Sequence, residues 1–376
     1  MKKYLIFALI VMLFVGCSKK RNITLLNSSD FETVIDGKEV SLYTLKSGFL
    51  TMQVTNYGGR VVSLWVPDNS GSYDDVVLGY ENINRYVNNE GERFLGAAVG
   101  RCANRIGGGS FSIDGKMFET FKNDNGNTLH GGEFGIDRIV WDVDSVTENA
   151  IFFHTVLADG KDGFPGNLDI RMRSVLTPEN EFRVEYFATT DAPTLCNLSH
   201  HSFFNLKGEG NGDVLDHELT INSQFITVIN DRLVPNGNFV AVKGSPMDFS
   251  EGKTIGRDIE KYHPQMENAK GYDFNYVINK PIRSIGVAAT VIEPNSGRKM
   301  IVSTDQPGIQ FYSGNFFDGK TNGKNGMPLG YRGGFALETQ QFPDAVNHQA
   351  FPSVVLRPGE TYHHTCIYGF EILPRK

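Results

Sequence analysis

The sequence predicts an all-β fold, a large antiparallel β-sandwich, and three observations carry that prediction. Apolar residues alternate with polar neighbours over short runs, as at Leu50, Met52 and Val54 and again at Phe182, Val184 and Tyr186. A period of two marks a strand with one buried face. Turn dipeptides separate many such runs: Asp114-Gly115, Asn125-Gly126, Asn236-Gly237, Pro358-Gly359, and Ser296-Gly297 after Asn295. These residues reach the backbone conformations that tight hairpins demand. The composition, 41 glycines and 27 phenylalanines, suits many turns around an aromatic core.

Taken in order, residues 1–16 stand apart from the fold. Lys2 and Lys3 precede an apolar run from Tyr4 to Val15, and Phe14-Val15-Gly16-Cys17 closes it. That pattern predicts a bacterial signal peptide with a lipobox-like end, too short for a permanent membrane span. Cleavage before Cys17 and acylation of its thiol would give a lipoprotein of the cell envelope, held to a membrane by its lipid anchor only. Phe14 departs from the leucine usual at that place. Residues 17–30, opening with Lys19, Lys20 and Arg21, read as a polar tether, and 31–376 as one continuous β domain. No linker and no fixed-period repeat interrupts it. Helical periodicity is scarce, with short candidates at Glu81 to Tyr86 and Thr254 to Tyr262.

Charge and cysteine content exclude several function classes. The formal net charge is -7; removing the two signal-peptide lysines leaves 34 basic against 43 acidic residues, or -9. A mildly acidic chain without a basic run is a poor nucleic-acid binder. Apart from Cys17, only Cys102, Cys196 and Cys366 remain, in apolar settings and without a CxxC pair. Buried free thiols are expected rather than disulfides or a zinc site.

Four stretches place titratable or bidentate side chains beside glycines and amides. They are Gly100-Arg-Cys-Ala-Asn-Arg105-Ile, Asn127-Thr-Leu-His130-Gly-Gly132, Asn197-Leu-Ser-His-His201-Ser-Phe-Phe-Asn-Leu206 and Gly334-Phe-Ala-Leu-Glu338-Thr-Gln-Gln-Phe-Pro-Asp344-Ala-Val-Asn347. Arg105 can fork onto a ligand oxygen or simply close a strand end. His130 lies where two glycines admit a close neighbour, a place also open to an ordinary turn histidine. Glu338 interrupts an apolar strand, so its carboxylate is either paired or working. Neighbouring strand residues point to opposite faces, so only one of His200 and His201 faces a given site. Gly271-Tyr-Asp273-Phe-Asn275 sets a further carboxylate between aromatics, suited to sugar hydroxyls. His130, His201 and Glu338 form a two-histidine, one-carboxylate set, but no HxH or HExxH spacing supports a metal, and none is expected. His363-His364, after a Pro-Gly turn, reads as structural or surface. A Ser-His-Asp hydrolase lacks its G-x-S-x-G elbow.

Together the four stretches resemble the aldose 1-epimerase (galactose mutarotase) family, whose marks are GRxANRI, N-x-LHGG, NLTNHSYFNL and LETQxxPDAVN. The likeness runs from about Ser41 to Ile372 and includes Gly163-Phe-Pro-Gly166, Gln306-Pro-Gly-Ile-Gln310-Phe-Tyr-Ser-Gly-Asn315 and Leu356-Arg-Pro-Gly-Glu360. The resemblance implies the mutarotase-like supersandwich and places the catalytic histidine on His201, the base on Glu338, and sugar-hydroxyl ligands on Arg105, His130, Asp273 and Gln310, with Asn104 beside them. His200 replaces an asparagine and is expected to point away from the sugar or line its rim. Phe203 stands where many relatives carry tyrosine. The implied activity is interconversion of the α and β anomers of free aldohexoses, galactose and glucose. It proceeds by acid/base ring opening and closure, without a cofactor, in a monomer or weak dimer.

The chemistry also follows from the side chains. Ring opening takes a proton from the C1 hydroxyl and delivers one to the ring oxygen; rotation and the reverse transfers close the other face. A glutamate at its ordinary pKa, about 4.3, is a base at neutral pH, and a histidine near about 6.5 holds or gives a proton after a small shift. Three alternatives remain at this level: a non-catalytic carbohydrate-binding lipoprotein, a glycoside hydrolase using Asp273 and Glu338, and an enzyme of hexose 6-phosphates. The last needs an Arg or Lys phosphate cluster that the motifs do not display.

Overall fold

The computed structural model describes residues 21–324 and 326–375, so the apolar run and Cys17 lie outside the described residues. Strands dominate and pair antiparallel in three large sheets. The nine-stranded sheet runs in the order Asp142–Val146, Ala150–Leu157, Leu168–Leu176, Glu181–Thr190, Tyr362–Ile372, Arg298–Thr304, Gly286–Ile292, Glu218–Ile221 and Lys253–Thr254. The six-stranded sheet runs Phe203–Phe204, Phe335–Gln340, Gly308–Tyr312, Asp273–Ile278, Ser223–Ile229 and Pro235–Ala241. Four consecutive strands from Leu42–Ser47 to Tyr73–Asp75 form the third. One apolar cluster draws on all three sheets, with Met52, Phe182, Tyr368, Phe274 and Leu337 among its members. Among the described residues no helix is long and apolar enough to cross a membrane.

Local chemistry explains the elements. Asp114 (φ 51°) and Gly115 (φ 79°) join Ser110–Ile113 to Lys116–Glu119 in a two-residue hairpin, the turn with two positive φ values that matches strand twist. Strand Leu50–Thr55 is buried on both faces: its polar alternates are covered too. The Gln53 amide accepts from Leu26 N–H at 2.9 Å and donates to Leu26 O at 3.0 Å. Residues 21–30 therefore lie along this sheet, with Arg21 Nη1 2.6 Å from Asp74 and Phe31 fully buried behind them.

The first expected helix forms as Ile83–Val87, capped by Asn82. The second forms elsewhere than expected. Thr254 to Tyr262 holds only the single turn Ile255–Arg257, and the helix is Pro264–Ala269. Gly256 packs against Leu215, where a Cβ would come within 2.9 Å of the Leu215 side chain. The usual N-terminal signals, a capping side chain at His263 and proline in the first turn, come nine residues after Thr254.

The sheet that positions the site is divided by alternation. Cross-strand register pairs Asn275 with Gln310 and Gln310 with Glu338, and Asp273 with Tyr312 and Tyr312 with Ala336. Those residues share one face, while Phe274, Tyr276, Ile309, Phe311, Phe335 and Leu337 share the other and enter the core. Phe311 is wholly buried, stacked on Tyr272 at 5.3 Å and edge-on to Phe249 at 5.6 Å. Phe311→Ala is expected to lower the unfolding free energy by about 3–5 kcal/mol, measured by urea denaturation; a loss under about 1 kcal/mol would contradict this division of the sheet.

Candidate active site

Strand Ser199–His201 pairs with Ala97–Val99, and alternation sends its two histidines to opposite sides. His200 enters the core, buried beside Phe182 (5.3 Å) and Tyr368 (5.9 Å), with Nε2 2.7 Å from Ser202 Oγ. His200 therefore does not line a sugar rim. His201 faces the polar side of the six-stranded sheet. Its ring lies between Phe94 (5.8 Å) and Phe203 (4.8 Å), with His130 edge-on at 5.1 Å. Its Nε2 is 3.4 Å from Glu338 Oε1, while His201 Nδ1 and Glu338 Oε2 are buried without a hydrogen-bond partner. Buried polar atoms are ordinarily paired, so these two are suited to a ligand's donors and acceptors.

The Arg105 and His130 segments form one unit. Asn104 and His130 both take positive φ (57° and 50°) and exchange backbone contacts: His130 N–H donates to Asn104 O at 3.0 Å, and Asn104 N–H donates to His130 Nδ1 at 3.1 Å. A Cβ on Gly131 would overlap the carbonyl of Gly100, which accounts for the Gly-Gly pair. Asn104 is buried, and its Oδ1 accepts from Arg105 N–H at 2.8 Å. Arg105 donates Nε to Asp124 Oδ2 at 2.7 Å; burial raises the carboxyls of both Asp273 and Glu338, and the nearby Arg105 charge offsets that rise only in part. Gln310 Nε2 donates to Asp273 Oδ1 at 2.6 Å.

The hydrogen bond to His130 Nδ1 assigns the tautomer: in the neutral ring the proton is on Nε2. His130, His201 and Glu338 each bring a ligating atom within 4.8 Å of the others, yet His130 offers the site an N–H rather than a lone pair. The donor set fits a hydrogen-bonding ligand and does not fit a metal ion.

Electrostatics overturn the expectation of near-ordinary pKa values. Burial pushes the Glu338 carboxyl well above the usual range, and the nearby Asp273 charge adds to the effect. Burial lowers His201 to about 4, assisted by Arg60, and holds His130 well below its ordinary value. Withdrawal from water disfavours the charged form of either group. With the carboxyl raised and the imidazole lowered, a proton held by the pair favours the carboxyl over the imidazole.

Every residue the sequence nominated lies in this region except Cys17, outside the described residues. The quoted stretches contain structural members as well. Asp344 accepts from Gly107 N–H at 2.9 Å and from Asn347, and His364 is a core residue bonded to Thr339 Oγ1 at 2.8 Å. Two residues escaped notice as site components. Phe94 packs on both imidazoles, 4.6 Å from His130, and nothing in Gly91-Glu-Arg-Phe94 announces it. Asn275, opposite Gln310, has both amide atoms buried and unpartnered; its alternation with Asp273 was the available signal.

The family profile described as Aldose 1-epimerase matches residues 41–369. The chain belongs to the aldose 1-epimerase family. A galactose mutarotase from Rattus norvegicus is 38% identical over 336 residues, covering 89% of this chain and 95% of the relative. An aldose 1-epimerase from Escherichia coli K12 is 32% identical over 338 residues, covering 89% and 96%. The crystal structure of an aldose epimerase homologue from C. elegans superposes with a TM-score of 0.81 at 28% identity, covering 89% of this chain and 99% of that one.

The divided histidine pair yields a test. His200→Asn vacates space beside Phe182 and Tyr368 and is expected to cost about 1–3 kcal/mol of stability with the catalysed rate nearly retained. His201→Asn is expected to leave the urea midpoint close to native and to lower the catalysed rate by about 10²- to 10⁴-fold. Equal effects of the two substitutions on rate would contradict the assignment.

Proposed function

We propose that this protein is an aldose 1-epimerase, an isomerase that interconverts the α and β anomers of free aldohexoses such as galactose and glucose. One observation supports the reading above others: His201 Nε2 and Glu338 Oε1 stand 3.4 Å apart on a buried polar face, the carboxyl's pKa raised and the imidazole's lowered. A group that takes a proton and a group that gives one are what ring opening and closure need.

Glu338 accepts the proton of the C1 hydroxyl and His201 protonates the ring oxygen. A C1 hydroxyl placed at the unpartnered Oε2 donates a hydrogen bond that favours the carboxylate, and the contact with Nε2 lets the resting proton pass to His201. After rotation about C1–C2 the transfers run backwards and close the ring on its other face. Each well-placed transfer contributes about 10²- to 10⁴-fold. His130 Nε2–H, Arg105, Asp273, Gln310 and Asn275 hold the hydroxyls. Asn104 serves through His130.

The rivals fit less well. A binding module has no use for a proton-sharing acid–base pair. A hydrolase built on Asp273 and Glu338 leaves His201 idle. A sugar phosphate would face Asp273 and Glu338, while the nearby guanidiniums of Arg105 and Arg93 are matched by Asp124 and Asp137. The lipid anchor at Cys17 and a place in the cell envelope are supported by the apolar run from Tyr4 to Val15; mass spectrometry of the membrane fraction tests them, and a mature chain beginning elsewhere contradicts them.

Polarimetry of freshly dissolved α-galactose and α-glucose tests the activity. Both are expected to approach equilibrium much faster with protein than without, and galactose 6-phosphate to respond far less; no acceleration of either free sugar would contradict the reading. The pH dependence follows from the pair as a unit. His201 is depressed, so the acid-side fall comes as the pair gains a second proton near pH 4. Glu338 is raised, so the basic-side fall comes as the pair loses its single proton, well above the ordinary carboxylate range. Activity already lost between pH 5 and 6, where an ordinary histidine begins to charge, would contradict this order.

A further inference from the structure

Behind the two imidazoles sits a carboxylate with no exposure. Asp137 is 0% exposed, and two guanidiniums reach it from different segments. Arg93 donates Nε to Oδ2 at 2.8 Å and Nη2 to Oδ1 at 3.0 Å, and Arg60 Nη2 lies 3.7 Å from Oδ2. Both arginines spend further donors on nearby backbone. Arg93 Nη2 donates to Gly132 O at 3.0 Å and Glu133 O at 3.1 Å, in the loop that leaves His130. Arg60 Nη1 donates to Arg93 O and Leu95 O, each at 2.9 Å, the carbonyls on either side of Phe94, and its Nη2 donates to Asp137 O at 2.8 Å. The Arg93 guanidinium also lies 4.9 Å from the Phe94 ring centroid.

One buried charge cluster thus ties down Phe94 and the exit from His130, two of the three rings that pack on His201. We infer that Asp137, Arg60 and Arg93 form a clamp in which Arg93 is a positioning residue, holding Phe94 and the 130–133 loop so that His201 stays in register with Glu338. A buried ion cluster is a poor source of stability, because desolvation offsets the attraction; its use is to specify one arrangement. The fork geometry matters: four acceptors are met by one planar guanidinium, which a lysine ammonium cannot reproduce. A misplacement of about 1 Å at a reacting centre costs about 100-fold in rate, so loosening this clamp reaches the chemistry without touching the sugar.

The charged and titratable groups facing His130 are Arg93, Arg105, His201 and Glu338, and those facing His201 are His130, Arg60 and Glu338. Removing the Arg93 charge takes away one influence that disfavours the His130 cation, so the imidazole itself reports on the clamp.

The inference rests on the epimerase reading, and the native chain, assayed alongside, tests that reading separately. Arg93→Met and Arg93→Lys would be compared in the full chain by polarimetry, thermal unfolding and NMR of the histidine rings. Arg93→Met is expected to lower kcat at least about tenfold with KM changed less than about threefold, and to raise the His130 titration midpoint. Arg93→Lys is expected to fold and to recover only part of kcat. Native kcat with native ring signals in either folded variant overturns the clamp. If Arg93→Met does not fold, Arg93→Lys decides by the same readouts. If the native chain shows no epimerase activity, the ring signals alone decide the clamp while the functional reading fails.

Discussion

Alternation across three neighbouring strands is the constraint on which the site depends. Asp273–Ile278, Gly308–Tyr312 and Phe335–Gln340 are paired so that every second residue enters the aromatic core and the intervening ones meet on a single covered face. The apolar face fixes the register, since a slip of one residue would bury Glu338 among phenylalanines and turn Phe311 and Leu337 toward the polar side chains. The same energy that holds the sandwich together therefore sets Asp273, Asn275, Gln310 and Glu338 side by side. No loop has to order itself to bring them there.

Covering that face has a consequence for charge. Glu338 is 2% exposed and His201 5%, so water stabilises neither ionised form, and the carboxyl rises while the imidazole falls. Their unpartnered atoms and the orphaned amide of Asn275 would be a liability in an ordinary core. A polyhydroxylated ligand bound on this face would supply the partners they lack. The tautomer of His130 is fixed as well, since the Asn104 N–H donates to Nδ1 and leaves the proton of the neutral ring on Nε2.

Much of this was legible in the sequence, and the part that was not has physical reasons. Hairpin turns such as Asp114-Gly115 declare themselves through backbone conformation, and the family motifs named His201, Glu338 and their polar neighbours. The pKa order was out of reach because it depends on how completely the sheets cover the site, a tertiary property. Phe94 and Asp137 were missed because a lone phenylalanine and a lone aspartate have no local signature; their roles arise from contacts with residues over 35 positions away, His130 and Arg93. The helix expected at Thr254 to Tyr262 failed because apolar periodicity outweighed the capping signal at His263-Pro264.

Glu338→Gln preserves size and most hydrogen bonding while removing the ability to accept a proton, so it separates a working base from a merely structural carboxylate. In this variant kcat for anomer interconversion, followed by polarimetry, is expected to fall about 100-fold or more while galactose binding, measured by calorimetry, persists. A folded Glu338→Gln chain with near-native kcat would contradict it.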